Sequence, residues 1–284
     1  MKQIIKPIVT SSRNIKGVDI NRKDIIEWVL TVHDSKEELK NKKVLKYLEH
    51  GEEIEVSTKR GTRIASENIK GVHNLQTCKA RQKWYDLGQH EPPPIIAPYL
   101  MWDRVVFAQN KAQALAPNTL HFLYPFNKDD TQFLLGVTNS TLIAFFLEVE
   151  GRSYGGGVLK MEAYEMAELP VINPEKISKR DKARIESAFS ELSQAQETGD
   201  AKSEERAKEE LDDAVFDALK VNKSERKQIK EGLKSLRMMR LRRKDVNVLV
   251  ETAEKWKPHK KTKKEKVMKV EPSKRLDTWI KKEP

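Results

Sequence analysis

The side chains best suited to covalent or metal chemistry are few and scattered. Cys78 is the single cysteine in 284 residues, which excludes an intrachain disulfide and a thiol-rich zinc site. The six histidines, His33, His50, His73, His90, His121 and His259, lie far apart, and no pair has ligand spacing on one helical turn. Cys78 with a distant histidine would make a nucleophile, but no local signature surrounds it, so it reads as a small buried or half-buried side chain. Glu38 and Lys40 form half of a metal-dependent nuclease signature; in a chain this rich in Glu and Lys such triplets arise by chance, and no Pro-Asp pair precedes one. Gly155, Gly156 and Gly157 are able to bring backbone N–H groups close to a phosphate, and equally to form a flexible turn. There is no Walker A loop, no G-x-G-x-x-G after a strand, no G-x-S-x-G elbow and no H-E-x-x-H. The expectation is therefore a chain with no catalytic residues and no metal ligands of its own.

The elements that would position any other chemistry fall into two compositional halves. Residues 1–175 hold most of the aromatic residues and prolines, with β-leaning runs PIIAPYLMW, RVVFAQN and LHFLYPF broken by Pro, Gly and Asn. Helices are expected at NRKDIIEWVL, capped by Asn21 with Ile25, Ile26, Val29 and Leu30 on one face, and at KEELKNKKVLKYLEHG, stopped by Gly51. QFLLGVTNSTLIAFFLEVE is apolar on nearly every side and predicts one buried core helix after the cap candidates Asp129, Asp130 and Thr131. From about Asn173 the chain becomes charged and helical. Apolar stripes through Ile185, Ala188, Phe189 and Leu192 and through Leu211, Val215, Phe216 and Leu219, joined by ETGDAK, predict an antiparallel helical hairpin. A third helix is expected from Ser224 as cap, with Ile229, Leu233 and Leu236 inward. The fold class is α+β: a mixed domain over 1–175, a helical extension over 176–257, and a disordered basic tail over 258–284 that is too charged to bury a core.

Charge is distributed unevenly. The formal net charge is +11, yet the first 224 residues hold 33 Lys/Arg against 34 Asp/Glu. Residues 225–244 carry nine basic against two acidic residues, and residues 255–282 twelve against three. The nucleic-acid footprint in the composition is thus confined to the C-terminal quarter. No stretch approaches the length of an apolar membrane span, and MKQIIKPIVTSSR lacks the apolar core and cleavage site of a signal peptide, so a cytoplasmic location is expected.

A longer pattern carries more information. KWYDLGQHEPPPIIAPYLMWDRVVFAQN is followed by a β-leaning segment and then by FLLGVTNSTLIAFFLEVEGRSYGGGVLKMEAYEMAELPV. This order resembles the target-recognition domain of adenine-specific DNA methyltransferases of restriction–modification systems. In that family a Trp-Tyr pair (here Trp84 and Tyr85) leads into a strand with prolines, a helix carries Asn-Ser (Asn139 and Ser140), and a glycine-rich turn precedes a segment ending in Leu-Pro (Leu169 and Pro170). The resemblance covers roughly residues 1–240, including a helical tail. Those enzymes hold the flipped adenine with an Asn/Asp-Pro-Pro-Tyr/Phe motif. The nearest string here, Glu91-Pro92-Pro93-Pro94-Ile95, lacks both the amide and the aromatic ring, and no glycine-rich S-adenosylmethionine loop precedes it. The resemblance thus implies a recognition half without its catalytic half, either a separate subunit or a fragment starting at an internal Met. S-adenosylmethionine would belong to a catalytic partner, and double-stranded DNA would be the ligand.

Recognition of this kind needs basic and amide side chains on a rigid scaffold. The candidates are Lys59, Arg60, Arg63, Arg81, Lys83, Arg104 and Arg152, with Gln109, Asn110 and Asn139 as amide readers. Arg237, Arg240, Arg242 and Arg243 are expected to add affinity without sequence preference. Trp84, Tyr85 and Trp102 read as core or interface aromatics rather than stacking platforms. At the extreme C-terminus Leu276, Trp279 and Ile280 stand at i, i+3 and i+4 and resemble the sliding-clamp (PCNA) interaction peptide, with Ser273 where that family usually has Gln and Ile280 replacing the second aromatic. Two other classes compete: an RNA-binding or ribosome-associated protein using the basic helix and tail, and a helical interaction scaffold.

Overall fold

The computed structural model describes residues 4–40, 42–58 and 67–254, and of residues 243–254 the backbone alone. In chain order, strands β1 (Ile5–Ile8) and β2 (Glu27–Leu30) pair with each other and are followed by helix α1 (Lys43–Glu53), the antiparallel strands β3 (Glu55–Thr58) and β4 (Glu67–Lys70), and a short helix α2 (Gln76–Lys79). Then come β5 (Ile95–Pro98), β6 (Leu100–Met101), β7 (Ala108–Gln109) and β8 (Leu120–Leu123). Helices α3 (Thr131–Thr138) and α4 (Thr141–Glu150) lead to β9 (Arg152–Tyr154), β10 (Val158–Lys160) and α5 (Ala163–Ala167). Three long helices follow, α6 (Lys179–Thr198), α7 (Ala201–Ala218) and α8 (Lys223–Glu254). Small antiparallel sheets beside a segregated helical layer make the fold α+β.

The chain divides into two compact units. The smaller comprises residues up to Ile5 with Leu30–Gln89, and the larger Lys6–Val29 with residues 90–254. In the smaller unit Val32, Leu39, Leu48 and Tyr85 form the core. Trp84 packs against it edge-on to Tyr85 and donates its indole N–H to Glu52 at 2.6 Å, while the same carboxylate accepts from Lys36. A free indole N–H would be costly in this half-buried position, so Glu52 fixes the ring. Trp84 and Tyr85 are therefore packing aromatics, as expected, whereas Trp102 in the larger unit is 42% exposed. Cys78 is free and half-buried.

In the larger unit β5 is buried at every position and lies between β7 and β8, pairing Ile96 with Ala108 on one side and with Phe122 on the other. Ile95, Ile96, Phe107 and Phe133 share one core with Ile185, Phe189, Leu211 and Val215 from α6 and α7. The helical hairpin thus closes the same core as the sheet, and no break in packing falls at residue 175. Gly199 in the left-handed region ends α6, where the polar connection was expected.

Four local expectations are corrected. NRKDIIEWVL is a 3₁₀ turn (Arg22–Asp24) followed by β2, because the β-branched Ile25, Ile26 and Val29 suit an extended chain once β1 offers a ladder. The predicted single core helix is two, bent by 73° at Asn139–Ser140. Asn139 leaves the helix to bond the backbone of Phe107, and Ser140 restarts it by accepting the Ile143 N–H. The helix expected to stop at Gly51 runs to Glu53, and α8 is capped by Asn222, whose side chain accepts from Ser224 and Glu225 N–H, rather than by Ser224.

Candidate nucleic-acid interface

The three-stranded sheet β6–β10–β9 has one face inward and one face to solvent. Leu159 stands opposite Met101 on one neighbour and Ser153 on the other, and Leu159 and Met101 are buried. By the two-residue period of a strand, the other face carries Leu100, Lys160 and Arg152 in one row and Val158 and Tyr154 in the next. Tyr154 is 64% exposed, and Tyr164 from α5 and Leu100 are also exposed.

Cations and aromatic rings interleave on this face. The Lys160 ammonium lies 5.2 Å from the centre of the Tyr99 ring and 5.6 Å from that of Tyr154. The Arg152 guanidinium lies 5.6 Å from the Tyr164 ring centre and donates to its hydroxyl. Two carboxylates orient them: Glu162 accepts from Lys160 and from the Tyr99 hydroxyl, and Glu165 accepts from Arg152 at 2.7 Å. The hydrogen bond to Glu162, then that to Tyr99, raises the Lys160 ammonium above its ordinary range, and Glu165 does the same for Arg152. Glu162 is held below the usual carboxylate range by Lys160 first, and Glu165 by the backbone N–H of Glu162 first. All four groups are thus charged at neutral pH. The Arg152 side chain is 62% exposed, whereas that of its partner Glu165 is 10% exposed.

Three glycines join β9 to β10, and Gly156 (φ 77°) and Gly157 (φ 79°) occupy the left-handed region that other residues avoid. A Cβ on Gly155 or Gly156 would meet nothing within 4 Å, whereas Gly157, the last residue of the turn, is buried. The turn joins two antiparallel strands rather than a strand and a helix, so it is not the strand–glycine-loop–helix arrangement of a dinucleotide-binding site. Among the described residues no three His, Cys, Asp or Glu side chains converge on a metal-binding arrangement.

The turn of the hairpin is anchored from beneath at Gly157. Arg240 of α8, only 5% exposed, makes a two-pronged ion pair with Glu148 of α4 at 2.8 and 2.6 Å and donates to the Gly157 carbonyl. Arg240 is thus a positioning residue, and the expectation that it meets DNA is corrected: its guanidinium is spent on the interior. Arg237 shares that carboxylate at 3.5 Å and is half-buried, while Arg242 is exposed.

Other candidates are placed as follows. Asn110, 2% exposed, donates to the Pro93 and Ala114 carbonyls and accepts from the Ala114 N–H. Asn139 donates to the Phe107 and Leu135 carbonyls and accepts from the Phe107 N–H. Both amides are consumed holding buried backbone, which corrects their reading as base readers. Gln109 is half-buried and accepts from Gln132. Arg104 is exposed and donates to the Lys16 carbonyl; Arg152 lies on the hairpin. In the smaller unit Arg81 is exposed and Lys83 donates to the His33 carbonyl. Lys59, Arg60, Arg63, the Arg243 side chain, and Leu276, Trp279 and Ile280 lie outside the described residues. Tyr154 and Lys160 of the hairpin, with Tyr99 and Tyr164 beside it, escaped the sequence reading, although a Tyr directly before and a Lys three residues after a glycine run are what a hairpin places on one face.

A family model described as the C-terminal domain of the type II methyltransferase M.Eco57I matches residues 1–215, well over half of the chain. The matched stretch contains the hairpin, its flanking aromatics and the helical pair that closes the core. The chain belongs to the M.Eco57I C-terminal domain family and is a domain related to restriction–modification methyltransferases.

Proposed function

We propose that this chain is the DNA-recognition portion of an adenine-specific (N6) restriction–modification methyltransferase and reads base edges through the β9–β10 hairpin. Catalysis and S-adenosylmethionine belong, in this reading, to a separate catalytic domain or subunit, and the complex works in the cytoplasm. The observation that carries it is the outward face of the hairpin: two pre-oriented cations interleaved with tyrosines, ending in a side-chain-free tip. A two-stranded ribbon is one of the few elements that fits the major groove, where each base pair presents a distinct donor and acceptor pattern. The buried Arg240–Glu148 anchor supplies the rigidity that discrimination requires. Family membership supports the methyltransferase context; the preference for adenine rests on the resemblance of the sequence.

The experiment is selection of bound duplexes from a randomised pool. The reading predicts enrichment of one short sequence by the wild-type chain. An unenriched pool, or tighter binding to structured RNA than to any duplex, would favour a non-specific or RNA-binding protein instead. Incubation of the chain with S-adenosylmethionine and the selected duplex should leave adenine unmodified, and methylation by the chain alone would contradict the assignment of catalysis elsewhere.

A further inference from the structure

Helix α8 begins after the stretch matched by the methyltransferase family, and its charge is unlike that of the chain before it. Its inward side is set by packing on α4: Leu233 is buried, Arg240 pairs with Glu148, and a Cβ on Gly232 would stand 2.9 Å from the Phe145 ring. With that side fixed, the 3.6-residue period places Lys223, Lys227, Lys230 and Lys234 within about 40° of one line on a solvent-facing flank about 130° round the helix, with Arg237 between this line and the inward side. All four lysines are exposed. Lys227 has Glu231 at 3.9 Å, whereas Lys223, Lys230 and Lys234 have no carboxylate partner among the described residues. The rise of a helix spaces these lysines by about 4.5–6 Å over about 16 Å.

We infer that the outward face of α8 is a rail for the phosphates of duplex DNA, adding affinity independent of sequence to a domain whose first 224 residues are nearly neutral. A ridge of unpaired ammonium groups that runs along one line meets a backbone carrying a charge every 3.4 Å per strand, and each neutralised phosphate releases counterions. The inference rests on the reading that the chain acts on DNA, but not on the hairpin being the reader.

The test is the salt dependence of full-chain binding to a labelled random-sequence duplex. For K223Q/K230Q/K234Q the slope of log K against log salt should fall by about 0.9 per lost contact, about 2.7 in all. Gln keeps helix propensity, and K223R/K230R/K234R should retain the wild-type slope. The control K176Q/K179Q/K202Q removes three exposed lysines elsewhere and should change the slope by less than one contact. A fall no larger than that of the control, or tighter binding to duplex RNA than to duplex DNA, would overturn the rail. Failure of the hairpin reading shows separately, as absence of sequence preference with the salt slope intact.

Discussion

At the scale of single residues, the amides most inviting as base readers are structural. Removing the Asn139 side chain would take from the Phe107 N–H and the Phe107 carbonyl their partner in the core. Each unsatisfied buried group costs about 1–3 kcal/mol, so Asn139→Ala should destabilise the chain by at least about 2 kcal/mol in urea unfolding. The selected DNA sequence should not change; an altered sequence with unaltered stability would restore Asn139 as a reader. His121 behaves similarly. Its Nε2 lies 3.0 Å from the Met161 carbonyl, which only accepts, so that nitrogen carries a proton. Burial lowers the His121 pKa from its ordinary value. The unfolded chain therefore binds more protons as pH falls through about 6.5, and stability contributed by the neutral ring above that pH is progressively lost below it. The drop in Tm between about pH 7 and pH 5 should be smaller in His121→Gln than in the wild type, and equal drops would show that another group governs acid sensitivity.

At the scale of elements, the hairpin is held by a buried charge pair, and the two ways of removing that pair should differ. Arg240→Ala leaves the buried Glu148 with Arg237 at 3.5 Å as its remaining ion-pair partner and should cost up to about 3–5 kcal/mol, whereas Glu148→Leu with Arg240→Met should cost far less. If the double replacement is the more destabilising, the anchor reading is wrong. The same elements show how much was legible in the sequence. Amphipathic stripes with clear periods, as in α6 and α7, declared both the helices and their inward faces through Ile185, Phe189, Leu211 and Val215. The misreadings share one cause, partners distant in sequence. Asn139 breaks an apolar run because Phe107 offers its backbone, and Ile25–Leu30 are extended because β1 lies alongside. The binding face was only partly visible for the same reason. Arg152 was found by its charge, but Lys160, Tyr154, Tyr99 and Tyr164 become neighbours only through the register of β6, β10 and β9 and the position of α5. Arg240 carries the same charge as Arg242, but the helical period through Ile229, Leu233 and Leu236 continues to Arg240 and leaves Arg242 off the inward stripe.

At the scale of the whole molecule, affinity and discrimination are assigned to different places. The hairpin carries few cations, each already held by a carboxylate, and suits it to reading rather than to bulk attraction. The unpaired lysines of α8 have the opposite character. This separation is consistent with a charge that is balanced over 224 residues and strongly positive afterwards. The most direct measurement is the affinity of wild type and of R152A/Y154A/K160A for the selected duplex and for a scrambled one, at a single salt concentration. The account predicts that the ratio of the two affinities collapses towards one in the variant while affinity for the scrambled duplex stays nearly unchanged. An unchanged ratio, or equal losses on both duplexes, would contradict recognition through the β9–β10 hairpin.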